Sequence, residues 1–406
     1  MCAQSETATC LNNDGGPPGP ATVTIHVLDD QDRPAQGATV LFVSPDGAVL
    51  ATRTSTAGEV SETVAPGTTA TVVTTAGNTM GGVDTGMTTY MELWDGANIT
   101  AQPLVERPVR EVLLMFPQAP QMNTTAATTC GGASTGFLAA GSTDIKVHMP
   151  ARCTRDFDAV AISPIGGAPQ YAVGKRFSDV GPTFGSFEPG ALVPTRVTHT
   201  PAAMAQSLAA YIRTEPTRGI FGPVSSTVPG ESGTLATPGY EHFASYHASN
   251  STAETVFAFE SFGTVLYELD LDNFLMPWVR NLRASPESRR LEWDIGDLEG
   301  TTPGDVDIVV GSVFYFRSNG DTVNWRVIAP MHMVQQQGAA LTLTLPSLGM
   351  QPYELVGSDV ISRATLSTIG VSDDMAHTVV ERYDPHANVF DYPGISPRIA
   401  VSTGAF

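Results

Sequence analysis

The sequence predicts an all-β protein in which two to three β-sandwich domains follow a flexible N-terminal tether. Short apolar runs alternate with polar residues at the two-residue period of a strand, and turns rich in Gly and Pro separate these runs. Amphipathic helical repeats are scarce. The chain has 406 residues and is 42% hydrophobic, which is enough for packed cores in more than one domain.

The alternation is clearest in two segments. In TVTIHV, Val23, Ile25 and Val27 alternate with Thr and His, and in LTLTLP the leucines at 341, 343 and 345 alternate with threonines. Because successive side chains of a strand point to opposite faces, each pattern predicts a strand with one face on a core.

Turn residues between apolar runs predict two hairpins. ATVLFVSPDGAVLAT has Pro45-Asp46-Gly47 at its centre, and VDIVVGSVFYFRSNGDTVNWRVIAP turns at residues 318–321. The best helix candidate is AAMAQSLAAYIRT, residues 202–214, and its pattern is ambiguous between helix and strand.

Clusters of turn-forming residues also predict the domain boundaries. The tether is residues 1–20, and the first domain, residues 21–118, ends at FPQAPQMN. A β-rich middle domain takes residues 119–282, and RASPESRR leads into a third domain at residues 283–406.

The charge balance excludes several classes of function. The formal net charge is −20, from 41 acidic and 21 basic residues. This balance repels phosphate backbones and anionic lipid surfaces, so neither nucleic-acid binding nor a polybasic membrane patch is expected. The sequence has no phosphate loop, dinucleotide fingerprint or zinc-ligand spacing, and no cofactor is expected.

Two of the four cysteines predict a disulfide. Cys130 and Cys153 bracket a strand and turn pattern, and closing that loop would stabilise the fold by about 3 kcal/mol. A Cys130–Cys153 bridge implies an oxidising compartment, and the alternative is a pair of buried thiols.

The other two cysteines lie in the predicted tether. CAQSETATCLNNDGGPPGP starts at Cys2 and is dominated by residues that cannot pack. It resembles the mature start of bacterial lipoproteins, which are cut before a cysteine that is then acylated. The resemblance implies a lipid anchor at Cys2 and a protein of the cell envelope or surface, or a secreted one. Cys10 leaves a small Cys2–Cys10 loop open as an alternative, and a cytosolic chain that starts at Met1 is another.

The first domain carries the most recognisable motifs. VLDDQDRPAQGATV places Val27, Asp29, Pro34 and Gly37 at the spacing V-x-D-x-x-G-x-P-x-x-G-A-x-V, and TSTAGEV and APG follow. These segments resemble the carboxypeptidase-regulatory-like family of transthyretin-like, Ig-like sandwiches. Ser55 stands where that family has an acid. The resemblance implies a non-catalytic scaffold, and the third domain resembles an Ig or fibronectin sandwich more weakly.

Candidate sites are few and lack established spacing. AHTVVERYDPHANVFDY offers His377, Glu381, Asp384 and His386 as weak metal ligands. The GASTG match around Ser134 lacks the strand and helix of a nucleophile elbow, so no catalytic residue is predicted. If the MHM segment 331–333 is a strand, its two methionines face away from the histidine and the three do not converge on a metal.

These observations predict a non-catalytic lipoprotein of the cell surface that displays β-sandwich domains for binding or adhesion. The expected partners are a polysaccharide or an envelope or surface protein, the expected membrane contact is the lipid anchor alone, and loops at the sandwich ends are the expected contact surfaces. The alternatives are a hydrolase with its site in the middle domain and a purely structural spacer.

Overall fold

The computed structural model describes residues 20–29, 33–77, 82–101, 109–119, 124–128, 136–138, 141–150, 157–165, 168–177, 188–189, 191–198, 207–214, 219–227, 232–237, 242–249, 255–262, 269–270, 279–295, 306–338, 340–349, 353–371, 376–381 and 398–405. Side chains are described mainly within residues 20–119, 141–146 and 279–381.

The described elements are strands, apart from one 3₁₀ turn and one short helix, which confirms the all-β prediction. The first strands are β1 Ala21–Val27, β2 Thr39–Val43, β3 Val49–Thr54, β4 Glu59–Val64, β5 Thr69–Gly77, β6 Val83–Tyr90, β7 Asn98–Ala101 and β8 Val109–Met115. The next are β9 Thr124–Thr128, β10 Gly136–Leu138, β11 Asp144–Pro150, β12 Phe157–Ile165, β13 Ala168–Phe177, β14 Glu188–Pro189, β15 Ala191–Thr198, β16 Ser207–Thr214, β17 Gly219–Thr227, β18 Ser232–Thr237, β19 His242–Ser249, β20 Thr255–Phe262 and β21 Leu269–Asp270. The last are β22 Val279–Ser285, β23 Arg290–Ile295, β24 Ile308–Phe316, β25 Thr322–Pro330, the 3₁₀ turn Met331–Met333, β26 Gln335–Gln337, β27 Ala340–Thr344, β28 Val360–Gly370, α1 Ala376–Glu381 and β29 Arg398–Ala405.

One long sheet, here called the central sheet, connects all three predicted domains. Its strand order is β17-β16-β19-β20-β29-β28-β24-β25-β6-β5-β2-β3. Most neighbours are antiparallel, but β6 and β25 are parallel, from the pair Asp84 and Thr322 to the pair Tyr90 and Ile328. The domain boundaries stay predictions. The residues of the three predicted domains are called the first, middle and third segments below. The pairing of β6 with β25 joins the first segment to the third, which the sequence did not indicate.

Two smaller sheets cover opposite faces of the central sheet. The first outer sheet, β4-β1-β7, encloses the first core, in which Val23 and Ile25 pack near Phe42, Ile308 and Ile369. The second outer sheet, β22-β23-β27-β26, encloses the second core around the two buried tryptophans, Trp293 and Trp325. This part of the molecule is therefore a three-layer stack, with strands such as β2 and β24 buried on both faces.

The predicted strand patterns are confirmed in these layers. Val23, Ile25 and Val27 of β1 and the leucines at 341, 343 and 345 are buried, while the alternating polar residues are at least partly exposed. Both hairpins form, and their turns contain Gly47 at φ 88° and Gly320 at φ 87°. These positive φ values are why glycine occupies the two turns.

The helix candidate at residues 202–214 is a strand where the structure describes it. β16 covers Ser207–Thr214 and pairs with β17 on one side and β19 on the other. Backbone hydrogen bonds to two neighbours outweigh a weak helical preference. Residues 202–206 lie outside the described residues.

Buried hydrogen bonds join the first and third segments where β6 meets β25. The indole Nε1 of Trp325 donates to the Thr89 hydroxyl at 2.9 Å, and the Thr89 and Thr71 hydroxyls lie 2.7 Å apart. All three residues are at most 1% exposed. Because water is excluded, a side chain that cannot accept the indole N–H would leave a buried donor without its partner.

Polar contacts at the start of the β6–β25 pairing set its register. The Val83 backbone N–H donates to Asp321 Oδ1 at 2.8 Å, and the Thr322 hydroxyl donates to the carboxylate of Asp84. Asp321 also accepts a hydrogen bond from Asn319 within the β24–β25 turn. The turn of the third segment therefore holds the first residue of β6.

The middle segment continues the central sheet and builds further sheets. Its strands form the orders β10-β9-β12-β13-β14 and β18-β15-β21, while β8 pairs with β11. In the described part of the chain, no helix has the length and apolar character needed to cross a bilayer.

Two glycines with the same φ angle test how tightly the first domain is packed. Gly58 and Gly96 both have φ 77°, but a Cβ on Gly58 would lie 2.5 Å from Pro34 Cβ and 2.6 Å from its Cα, whereas a Cβ on Gly96 meets nothing within 4 Å. We expect Gly96→Ala to cost about 1–2 kcal/mol, because of its left-handed backbone alone. Gly58→Ala should cost a further ~1–3 kcal/mol, because the clash is with backbone atoms.

Urea unfolding of the two variants and the unmodified chain measures this difference. Equal losses of unfolding free energy would contradict the close packing of Gly58 against Pro34.

Candidate functional site

The helix α1 carries two of the predicted metal ligands. Val379 and Val380 are buried in the first core, and Glu381 Oε1 accepts a hydrogen bond of 3.1 Å from the backbone N–H of Asn98 in β7. His377 lies in α1, but its side chain is outside the described set. Asp384 and His386 lie outside the described residues. Within the described part of the chain, no three His, Cys, Asp or Glu side chains are placed to hold a metal ion.

The MHM segment is a 3₁₀ turn and not a strand, so the argument from alternating strand faces does not apply to it. The turn follows Pro330, where β25 ends, and Met331 N–H donates to the Asp307 carbonyl at 2.9 Å. Met331 packs against the second core. His332 Nε2 pairs with the carboxylate of Glu92, a residue of the first segment. His332 thus links the two segments.

The remaining predicted positions are outside the described residues. These are Cys2, Cys10, Cys130, Cys153 and Ser134. The Cys2 anchor and the Cys130–Cys153 disulfide therefore stay predictions.

A cleft lies at one end of the sandwich, where loops of the first segment meet the third. This end cleft has a volume of about 320 Å³ and is lined by residues 28–29, 36–39 and 73–76 together with Tyr353. The first three groups come from the end of β1, the approach to β2 and the end of β5. Tyr353 precedes β28 and is half-buried against the second core.

A buried serine fixes the wall formed by residues 35–38. Ser55 is 3% exposed, its hydroxyl donates to the Ala35 carbonyl at 2.7 Å, and it accepts from Ala38 N–H at 3.1 Å. Gly37 N–H donates to the Ser55 carbonyl at 3.1 Å, and Gly37 has φ 81°. The residue that departs from the family motif therefore has a structural role, and the wall is fixed without a ligand.

An ion pair neutralises the carboxylate at the cleft. Asp29 Oδ2 contacts Arg33 Nε at 2.9 Å and Nη2 at 2.8 Å, and Asp29 Oδ1 accepts from Arg33 N–H at 2.9 Å. Such two-pronged pairing consumes most of the acceptor capacity of a carboxylate. Among the described residues that line the cleft, Asp29 is the one carboxylic acid.

The lining of the end cleft suits binding better than acid–base or nucleophilic catalysis. Catalysis by paired carboxylates or by a serine and a base needs two such groups within hydrogen-bond reach. The lining instead offers the Gln36 amide, the hydroxyls of Thr39, Thr74 and Thr75, and one aromatic ring. Thr74 already donates to the Gly86 carbonyl at 3.4 Å.

A second depression, the face groove, lies on the outer surface of the first outer sheet. It has a volume of about 310 Å³ and is lined by Thr22, Thr24, His26 and residues 95–98. Asp95 Oδ1 is occupied by Thr22 N–H at 2.8 Å, and His26 Nδ1 lies 3.6 Å from Glu59. In this sheet β1 pairs antiparallel with β4 and parallel with β7, and one of its faces covers the first core. A polar outer face is usual for a sheet that is covered on one side only, so the face groove is the weaker candidate.

Sequence reasoning predicted binding loops at a sandwich end but did not identify these residues. The available signal was the P-x-x-G-A segment from Pro34 to Ala38, because a conformationally restricted loop between strands can form a fixed wall. Nothing in the sequence placed Tyr353 at the same cleft as that loop, since they are more than 300 residues apart.

Comparison with known proteins gives no family. No family model and no curated protein matches the chain. The major pilin subunit BcpA of Bacillus cereus is 7% identical, with a TM-score of 0.15, covering 62% of this chain and 98% of that one. A tetra-tandem repeat from the extending region of a large adhesion protein is 12% identical, with a TM-score of 0.13, covering 96% and 99%. The pilus adhesin SpaC from Lactobacillus rhamnosus GG is 9% identical, with a TM-score of 0.13, covering 79% and 44%.

TM-scores this low do not establish a shared fold, so these likenesses assign neither a family nor a ligand. The resemblances to regulatory-like domains and to lipoproteins stay predictions.

The contact between His332 and Glu92 makes stability depend on pH. The hydrogen bond to Glu92 raises the pKa of His332 above its ordinary value of 6.5, and desolvation only partly opposes this. The contribution of this contact to the free energy of unfolding is therefore fully present below pH 6.5. It is lost as the pH rises through the pKa of His332 in the folded state. With His332 42% exposed, we expect His332→Gln to cost about 0.5 kcal/mol at about pH 5.5 and less at about pH 9.

Denaturant unfolding at both pH values, with Glu92→Gln as the matched variant, provides the measurement. If either variant loses more unfolding free energy at about pH 9 than at about pH 5.5, the stabilising contact between His332 and Glu92 is contradicted.

Proposed function

We propose that this chain is a non-catalytic protein of the cell envelope that presents a fixed β-sandwich surface for binding. A lipid on Cys2 anchors it to the membrane. The Cys130–Cys153 disulfide adds covalent stability outside the cell. The partner is a polysaccharide or an envelope or surface protein. The end cleft is the observation that carries the proposal. Its walls come from two segments of the chain and are fixed by internal hydrogen bonds, and its described lining residues contain no acid–base pair.

Rigidity of the cleft supports binding as the function. A site whose loops are already ordered loses little conformational entropy when it takes a ligand, so weak polar contacts can still give useful affinity. Ser55 and the Asp29–Arg33 pair order one wall, and the second core holds Tyr353 on the other side.

The membrane attachment is supported by the sequence alone. The polar segment after Cys2 has the composition of a spacer. An acyl group on Cys2 would anchor the chain, and the spacer would hold the β-sandwich domains away from the bilayer. The mass of the N-terminal peptide from the native protein checks this part. An acylated Cys2 supports the anchor, and an unmodified thiol contradicts it.

A matched pair of blocking variants tests the binding function. Thr75 lines the end cleft and Thr63 lies on the outer face of β4, and both are exposed. We expect Thr75→Trp to reduce retention on envelope preparations from the producing cells by at least about tenfold, because the indole fills the cleft, and Thr63→Trp to leave it unchanged. Retention is measured by co-sedimentation.

Equal retention of the two variants would show that the binding surface is not the end cleft. No retention of the unmodified chain would favour a structural spacer, and hydrolysis of an envelope polymer would favour the hydrolase alternative.

A further inference from the structure

We infer that the end cleft takes an uncharged sugar ring, the terminal or an internal pyranose of a neutral glycan, with Tyr353 as its apolar contact. The inference rests on the proposed function, because it names the class of ligand for the same cleft. It follows from the aromatic ring and the polar groups that line the cleft, from the charge of the lining and from the volume of the cleft.

Tyr353 supplies the apolar contact that a sugar ring needs. The residue is half-buried and packs against the second core, so its orientation is supported from behind. An aromatic face carries a partial negative charge and attracts the weakly positive C–H groups of a pyranose. Aliphatic side chains lack this charge distribution, so the ring has a role that an apolar leucine cannot fill.

Other residues that line the cleft have groups that both donate and accept. The Gln36 amide offers two N–H donors and a carbonyl, and the Thr75 hydroxyl can donate one hydrogen bond and accept others. Both side chains are exposed. Adjacent sugar hydroxyls also act as donor and acceptor, so the two sets are complementary.

The charge distribution favours a neutral sugar over an acidic one. Arg33 is paired with Asp29 at 2.8 Å, so its guanidinium is already neutralised, although it is 65% exposed. The chain as a whole carries a formal net charge of −20, which repels uronic acids and other anionic glycans. An acidic glycan would therefore meet no uncompensated cation among the described residues of the cleft lining.

The size of the cleft fits one or two rings. Its volume of about 320 Å³ is at the lower end of small-molecule sites, which hold roughly 300–1,000 Å³. A long polymer can therefore contact it through a chain end or through one unit.

Calorimetric titration of the full chain with soluble oligosaccharides tests the inference. The probes are neutral maltohexaose, cellohexaose, mannohexaose and chitohexaose, with oligogalacturonate as the acidic comparison. We expect at least one neutral probe to bind, Tyr353→Leu to weaken it at least about tenfold, and Tyr353→Phe to stay within about threefold, because the ring is kept. Thr75→Val should weaken it about fivefold, the value of one hydrogen bond, and Thr63→Val should change nothing.

Comparing this titration with envelope retention separates the two proposals. Retention that Thr75→Trp abolishes, with no neutral oligosaccharide bound, overturns the sugar assignment and leaves the proposed binding function in place. Tighter binding of oligogalacturonate than of every neutral probe overturns it too, as does equal binding by the Leu and Phe variants of Tyr353. Loss of both retention and sugar binding in the unmodified chain overturns both proposals.

Discussion

The parallel pairing of β6 with β25, and the buried hydroxyl chain beside it, is the constraint on which this structure depends. The indole N–H of Trp325 is buried, and the Thr89 hydroxyl accepts its hydrogen bond while contacting the Thr71 hydroxyl on β5. A buried donor without a partner costs about 1–3 kcal/mol. This hydrogen bond therefore favours one register between the two segments. The contacts of Asp321 and Asp84 at the start of the same strands point to that register too.

The end cleft is a consequence of this pairing. Its walls near Gln36 and Thr75 belong to the first segment, and Tyr353 belongs to the third. The same junction gives the central sheet two buried faces, so Val40 and Phe42 of β2 serve one core while Leu41 and Val43 serve the other. A site that requires both segments is formed only when the long-range pairing is formed. Binding at the end cleft therefore requires that this region is folded.

Local patterns in the sequence predicted the strands and turns well, because they depend on neighbouring residues. The alternation in TVTIHV, the glycines at 47 and 320, and the leucines of LTLTLP all correspond to observed elements. Segment 207–214 became a strand because two neighbours pair with it, and the MHM segment became a 3₁₀ turn at the end of β25. Both outcomes depend on contacts outside the segment itself: β16 pairs with the adjacent β17 and with β19, and Met331 N–H donates to the Asp307 carbonyl. The pairing of Asp84 with Thr322 and the position of Tyr353 lie beyond the reach of any local pattern, whereas Ser55 could be noted only as a departure from a motif.

Site-resolved hydrogen exchange of the full chain tests the central claim most directly. The amides of Val83–Tyr90 and Thr322–Pro330 are followed in the unmodified chain and in Thr89→Val, which removes the acceptor for Trp325. The account predicts that both strands open with one common free energy, which Thr89→Val lowers by about 1–3 kcal/mol in both. Exchange of β6 in a separate, less costly opening, with β25 still protected and unaffected by the substitution, would contradict it.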